Sequence, residues 1–411
     1  MKRILHFGLG AFHRAHQAVW TENVSADWTI TAVAPRSRAT VDALRAQGNR
    51  YAVLTRGPGD PSVRVCHALS ETLHLGDDAA RVRELMTSPD VRIVTLTITE
   101  KGYLADGPVV TAVADGLIAR HRAGGAPLTV MSCDNMAANG AVLRAAVRAA
   151  MTESVDEDWL DTAVTWPSTV VDRIVPATTP ADVEEASALL GFRDEVPVVA
   201  EPYRQWVIED AFAAGRPPWE HDGALIVADV APYQLTKLRL LNGAHSALAY
   251  LGLAAGLGTV ADTMATGWGP ALVRQLAAEV APTLPPGGPD PMAYADDLVE
   301  RFANPGIRHS LRQIAGDGSR KLPERWFGVL RATTSPVLEL ALAGWVHATH
   351  PDRAPDDPLK EPLAGTWDRG PSDIDLVAAQ LRLVGAADLP VIRSVAARLP
   401  ALRAGRIPLT E

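Results

Sequence analysis

The sequence predicts an α/β protein, with an N-terminal Rossmann-type parallel-sheet domain followed by a second, mainly α-helical domain. Three observations predict it. The first third of the chain alternates short apolar runs with helix-like stretches, the pattern of βα units around a parallel sheet. A glycine-rich turn, GLGAFHRAH, follows the first apolar run directly. Beyond about Pro232, leucine and alanine dominate at helical spacing, with proline-rich breaks at 282–291 and 350–362. The boundary is therefore expected near residue 230, with a dinucleotide-binding domain over 1–230 and a helical substrate domain over 231–411. At 411 residues, 47% apolar and 21% charged, the chain can bury a large core without disulfides or metals.

Taken in order, Arg3 to Phe7 reads as a first strand, followed by the glycine turn and a helix near His13 to Asn23. Trp28 to Val33 is a second strand, and Thr40 to Ala46 starts a helix. Val91 to Thr99 is dense in β-branched residues and reads as a strand, as does Leu128 to Ser132. The Ala-rich stretch Ala141 to Met151 is helical, and Val198 to Ala200 and Ala224 to Val227 are later strands. Leu240 to Ala261 carries no formal charge, but it holds Asn242, His245 and four glycines without a basic flank. A buried helix pair fits it better than a membrane span.

Composition narrows the function. With 39 basic and 48 acidic side chains the net charge is −9, and no basic run is present, so nucleic acid and anionic membranes are unlikely partners. The start, MKRILHFGLG, lacks a cleavage pattern, and Cys66 and Cys133 are not in a CxxC. A cytoplasmic protein with reduced thiols is expected.

The strand–turn–helix context of GLGAF suits a dinucleotide: Gly8 and Gly10 allow a tight turn and close backbone approach, and Ala11 and Phe12 open the helix facing the phosphates. The third glycine of the fingerprint is replaced by His13. No acidic residue ends the second strand; Arg36, Ser37 and Arg38 stand there, which leaves NAD or NADP open. Thr99, Glu100 and Lys101 end the TITEKGY strand, Asp134 and Asn135 follow LTVMS, and VVDRIVP brings out Asp172 and Arg173, all where open α/β sheets bind ligands.

Lysine is scarce, five against 34 arginines, and asparagine numbers six, yet Lys237, Asn242 and His245 fall together in KLRLLNGAH. On an α-helix at about 100° per residue, taking Lys237 as zero, His245 lies near 80° and Asn242 near 140°, one broad face. A buried lysine can exchange a proton near neutrality, an amide can donate to an oxygen gaining charge, and a histidine can hold a substrate hydroxyl. The bland alternative is a surface lysine, a capping asparagine and a core histidine. The pairs His13/His16 and His347/His350 lack further ligands, and no metal motif, GxSxG elbow or P-loop is present, so no metal is expected.

The motifs KLRLLNGAHSALAYLG, TLTITEKGY, SCDNMAANG, VVDRIVPATTP and EPYRQWVIEDAFAAGRPPW resemble the polyol-specific long-chain dehydrogenases/reductases, the mannitol dehydrogenase family. RFANPGIRHSLRQIAGDGSRKLPERW looks most like its fructuronate reductase branch, and the resemblance runs from Ile4 to about Trp345. It implies metal-independent hydride transfer with NAD, NADP being possible, on a sugar-acid ketone and its alcohol. By motif position it implies Lys237 as general acid/base, Asn135 and Asn242 as oxyanion amides, His245 as a positioning residue, and Asp172 and Lys321 on the substrate side. A mannitol- or arabinitol-type polyol dehydrogenase is the alternative, and a catalytically silent dinucleotide sensor the reading from another class. A monomer or weak homo-oligomer is expected. The chain departs from the pattern at Gln234, where many relatives carry a carboxylate, in a shorter stretch between Tyr103 and Leu128, and after Arg353.

Overall fold

A computed structural model describes residues 1–57, 59–153, 157–307, 309–368 and 372–409. The chain divides into two units, Met1–Ala231 and Pro232–Glu411.

The first unit holds twelve strands among the described residues: β1 (Lys2–Phe7), β2 (Trp28–Ala34), β3 (Tyr51–Thr55), β4 (Ser62–Cys66), β5 (Leu69–His74), β6 (Val91–Leu96), β7 (Leu128–Ser132), β8 (Val164–Thr165), β9 (Thr169–Asp172), β10 (Val198–Ala200), β11 (Gln205–Glu209) and β12 (Leu225–Val227). Six form a parallel sheet in the order β5–β2–β1–β6–β7–β8. Both faces are covered. Ile4, Ile30, Ile93 and Met131 face one apolar cluster, while Leu5, Phe7, Val94, Leu96 and Val130 face another. A strand buried on both sides has no polar face to show, which is why these strands read as continuous apolar runs.

The connection from β1 runs to β2 on one side, whereas β6 adds to the other side of β1. The strand order therefore reverses between β1 and β6. Ligands of open parallel sheets bind outside the carboxyl ends at such a reversal. The glycine turn after β1 and the TITEKGY turn after β6 flank it.

Several expectations are corrected in detail. The Val91–Thr99 strand stops at Leu96: Thr97 N still donates to the Phe7 carbonyl at 2.8 Å, but Ile98 N and Thr99 N turn away to the Asp134 carboxylate at 2.7 and 3.1 Å. The helix expected over His13–Asn23 is two, α1 (Ala11–Ala15) and α2 (Gln17–Val24). They break at His16, whose ring turns inward to hydrogen-bond the Gln205 carbonyl at 2.9 Å. Val198–Ala200 and Leu225–Val227 are strands, but in two small sheets, pairing with β3 and β11 and not with the main sheet.

The second unit is mainly helical, and its described residues hold no strand beyond an isolated bridge between Thr259 and Ser310. Its centre is the helix Gly243–Ala254 against the helix Pro336–Ala348, both almost wholly apolar and buried. Gly344 permits the approach; a Cβ there would lie 3.0 Å from Leu251 Cδ2 and 3.2 Å from Tyr250 Cβ. The uncharged stretch 240–261 is thus the core of this unit. No helix among the described residues is long and apolar enough to cross a membrane.

Candidate active site

In the first unit the glycine turn is built from backbone constraints. Gly8 has φ +112°, and a Cβ there would sit 2.0 Å from the Thr97 carbonyl oxygen, so no other residue fits. Gly10 caps α1, and its N–H donates to Gly8 O at 2.6 Å. A Cβ on Gly10 would find its nearest neighbour at 3.8 Å, leaving open space beside the turn. Ala11 and Phe12, half-buried, begin the helix. These features fit the close approach of a dinucleotide. Arg36 is exposed just past β2, while Arg38 opens the next helix and ion-pairs with Asp77.

After β6, Thr99 takes φ 64° and ψ 160°, a conformation costly for a β-branched residue. Asp134 holds it there: its carboxylate accepts from Ile98 N, Thr99 N and, at 2.7 Å, the Tyr103 hydroxyl. Burial pushes the Asp134 carboxyl up, against the pull of those donors. Thr99, Glu100 and Lys101 are left exposed at the sheet's carboxyl edge, as is Asn135 after β7. Asn139, another of the scarce asparagines, is structural. It is fully buried, donates to the Asp134 and Thr169 carbonyls at 3.0 Å each, and accepts from Thr169 N at 2.9 Å.

Asp172 ends β9 and is buried. Arg173 does not meet the expectation of a substrate contact. Its guanidinium is buried, and it donates to the Glu201 carbonyl at 3.0 Å and to the Ala15 carbonyl. Its charge is spent tying α1 to the strand end.

In the second unit the lysine–asparagine–histidine set departs from the expected geometry. Lys237–Asn242 is a π-helical turn inserted between Ala231–Thr236 and Gly243–Ala254. Hydrogen bonds in a π-turn run from residue i to i+5, which widens the turn. Lys237 and Asn242 are five apart. The separation of about 140° that an α-helix would impose is therefore reduced. Lys237 is buried and Asn242 half-buried.

Facing this turn is a second π segment, Pro323–Phe327. From it Arg325 donates to the Asn242 carbonyl at 3.3 Å and to Ser246 Oγ at 2.7 Å, and Trp326 Nε1 donates to the Gly243 carbonyl at 3.2 Å. His245 stacks on Phe302 with ring centroids 4.9 Å apart and meets the edge of His309 at 4.6 Å. Burial holds its imidazole well below the usual range, reinforced by His309 and by the cations of Arg325, Arg301 and Lys321. Arg301 and Arg325 escaped the sequence reading because arginine is this chain's default cation; the signal available was their place in the RFANPGI and KLPERW motifs. Lys321 lies in the same region, but its Nζ donates to the carbonyls of Gly316 at 2.6 Å and Ile314 at 3.3 Å, closing the end of the helix Leu311–Ala315.

The model for the mannitol dehydrogenase Rossmann domain matches residues 2–221, and that for the mannitol dehydrogenase C-terminal domain matches residues 229–361. The chain is 40% identical to D-mannonate oxidoreductase of Escherichia coli (strain K12), over 84% of this chain and 80% of that protein. It is 33% identical to D-arabinitol 4-dehydrogenase of Ralstonia nicotianae, over 98% of this chain and 97% of that protein. Among solved structures, Pseudomonas fluorescens mannitol 2-dehydrogenase, in ternary complex with NAD and D-mannitol, is similar with a TM-score of 0.80 and 31% identity. The likeness covers 99% of this chain and 92% of the other.

Proposed function

The chain belongs to the mannitol dehydrogenase family of oxidoreductases, and from that premise we propose that it interconverts a sugar-acid ketone of the fructuronate/mannonate kind with its secondary alcohol, using NAD(H). The choice of a sugar acid is supported by the 40% identity to a D-mannonate oxidoreductase and by Arg301, Lys321 and Arg325, whose positive charges act on the His245 imidazole. A substrate carboxylate is attracted to such cations, whereas a neutral polyol is not.

The glycine turn at the reversal between β1 and β6 supports dinucleotide binding by Gly8, Gly10, Ala11 and Phe12, bordered by Thr99, Glu100 and Lys101. NADH, when bound, supplies the hydride for the carbonyl carbon. Lys237 gives its proton to the carbonyl oxygen. Asn242 donates its amide N–H to that oxygen as it becomes an alkoxide, with more effect there than in the ground state. His245, kept neutral by burial, has an Nε2 without a partner among the described residues and can hold a neighbouring hydroxyl. Asp172 contributes a carboxylate on the substrate side. In the oxidative direction Lys237 takes the proton back, and with Gln234 in place of a carboxylate the onward relay to solvent differs from that of many relatives.

One observation favours a neutral polyol instead: the Lys321 ammonium already serves two backbone carbonyls. A panel of hexuronates, pentitols and hexitols, assayed with NAD(H) and NADP(H), decides between the readings. A higher kcat/KM for a keto-hexuronate than for fructose is expected. Preference for the uncharged sugar would assign the protein to the polyol branch.

A further inference from the structure

We propose that His6 is a positioning residue for the dinucleotide turn, and that the stacked pair His6–His13 takes the place of the fingerprint's third glycine. The inference rests on the reading of GLGAF as the cofactor turn.

In the usual fingerprint the third glycine lets the helix pack closely on the strand. Here its position carries the His13 imidazole, which is fully buried. It does not push the helix away at random. The ring lies face to face on the ring of His6, from β1, with centroids 3.4 Å apart and planes within 9°. Neither nitrogen of His13 has a hydrogen-bond partner among the described residues, so what His13 presents to His6 is a flat packing surface.

His6 is held by both nitrogens. Nε2 lies 3.0 Å from both the Gly8 carbonyl and Thr97 Oγ1; the carbonyl can only accept and the Thr97 hydroxyl donates to that same carbonyl, so Nε2 carries the proton. Nδ1, 2.8 Å from Thr95 Oγ1, then accepts the Thr95 proton. That hydroxyl also lies 2.9 Å from Gln17 Oε1; turning the amide over places its otherwise unpartnered nitrogen there as a donor to Thr95 and leaves the Thr95 proton for His6. Burial draws the His6 imidazole down to about 3 and the His13 imidazole well below its usual range, so neither ring brings charge to the stack in neutral solution.

The Gly8 carbonyl thus receives three donors: His6 Nε2, Thr97 Oγ1 at 2.8 Å and Gly10 N at 2.6 Å. They fix a glycine at φ +112° that would otherwise be the most pliant residue of the turn. With the carbonyl pinned inward, the N–H groups that open α1 keep the direction a pyrophosphate requires.

The test uses the full chain and titrates NADH by fluorescence. His6→Leu removes the ring and the donor; His6→Gln returns an N–H at comparable reach; Thr97→Val removes only the second side-chain donor; His13→Gly restores the missing glycine. His6→Leu is expected to raise the NADH Kd about tenfold, the scale of one lost buried hydrogen bond. His6→Gln recovers most of that loss, and Thr97→Val weakens NADH in the same direction. His13→Gly also weakens it, although it restores the consensus. The losses fall on KM for NADH and leave KM for the sugar in place, which general destabilisation would not do. Wild-type affinity in Thr97→Val or His6→Leu, or tighter binding in His13→Gly, overturns the positioning role; if His6→Leu does not fold, Thr97→Val decides. Wild type binding neither NADH nor NADPH would overturn the cofactor reading beneath it, an outcome distinct from binding that the variants leave unchanged.

Discussion

Acid should destabilise the Rossmann unit through histidines that the fold keeps neutral, and His16 gives a measurable share of that loss. The ring is fully buried, stacked on Phe12 at 4.9 Å and edge-on to Trp206 at 5.6 Å, with Nε2 bonded to the Gln205 carbonyl. Burial lowers its pKa from 6.5 to about 3. The unfolded chain therefore takes up the proton as the pH falls through 6.5, while the folded chain does so only near 3. Stability is fully present above the unfolded value and is lost as the pH falls below it. At 1.36 kcal/mol per unit, a drop from about pH 7 to about pH 5 costs roughly 2 kcal/mol for this one group. His6, depressed to about 3 by the same cause, adds a similar amount. Against a total stability on the order of 5–15 kcal/mol, this is a large fraction. Urea unfolding of wild type and His16→Phe at both pH values, followed by tryptophan fluorescence, isolates the effect. Trp20 and Trp206 lie beside the ring and report on it. The donor lost by the Gln205 carbonyl shifts the variant equally at both pH values and cancels in the difference. Wild type should lose about 2 kcal/mol more than the variant over this interval. Parallel losses would refute the reasoning.

The remaining predictions concern catalysis, the cofactor and the TITEKGY turn. Lys237→Ala should lower kcat by about 10²–10⁴-fold with the fold intact, as for a lost general acid/base; circular dichroism and steady-state kinetics check both halves. Asn242→Ala should cost roughly 3 kcal/mol of transition-state stabilisation, and a change in KM alone would make it a binding residue. Because Arg38 is already paired with Asp77, Arg36→Ala should weaken NADP(H) more than NAD(H), whereas Arg38→Ala should discriminate little. Asp134→Asn leaves three donors facing an amide with one acceptor and should lower stability by about 1–3 kcal/mol, read as a lower urea midpoint.

The parallel sheet was legible because its strands are buried on both faces and so form unbroken apolar runs between turn signals, as in Val91 to Leu96 and Leu128 to Ser132. Ser62–Cys66 and Leu69–His74 were not: SVRVC alternates over only five residues, and LSETLH mixes polar and apolar residues without alternation. The end of β6 was missed for a different reason. β-branched residues continue through Thr99, but a carboxylate 35 residues away in sequence claims the backbone donors that the ladder needed. Residue scarcity worked as a signal only where the residue type was rare for a chemical reason. It drew attention to Lys237 and Asn242, but scarcity alone does not assign a role: Asn139, another of the six asparagines, is a buried side chain that pins Thr169.

The proposed catalytic set was read on an α-helical wheel, and the structure replaces that wheel with a π-turn, which bears on how the proposed site would work. An α-helix would have spread Lys237 and Asn242 over a broad face; the π-turn reduces that separation. Inserting such a turn costs backbone regularity, and nothing in the local composition of KLRLLN demands it. Its partners come from more than 80 residues further along the chain, where Arg325 and Trp326 donate to the Asn242 and Gly243 carbonyls. The π-turn that carries Lys237 and Asn242 is therefore braced by tertiary contacts, one π segment donating to the other. Trp326→Phe, which removes the indole N–H together with the five-membered half of the fused ring, tests this. It should lower kcat by about tenfold, the scale of one buried hydrogen bond, while KM for NADH stays in place. An unchanged kcat would mean that KLRLLN adopts the π-turn without its partner.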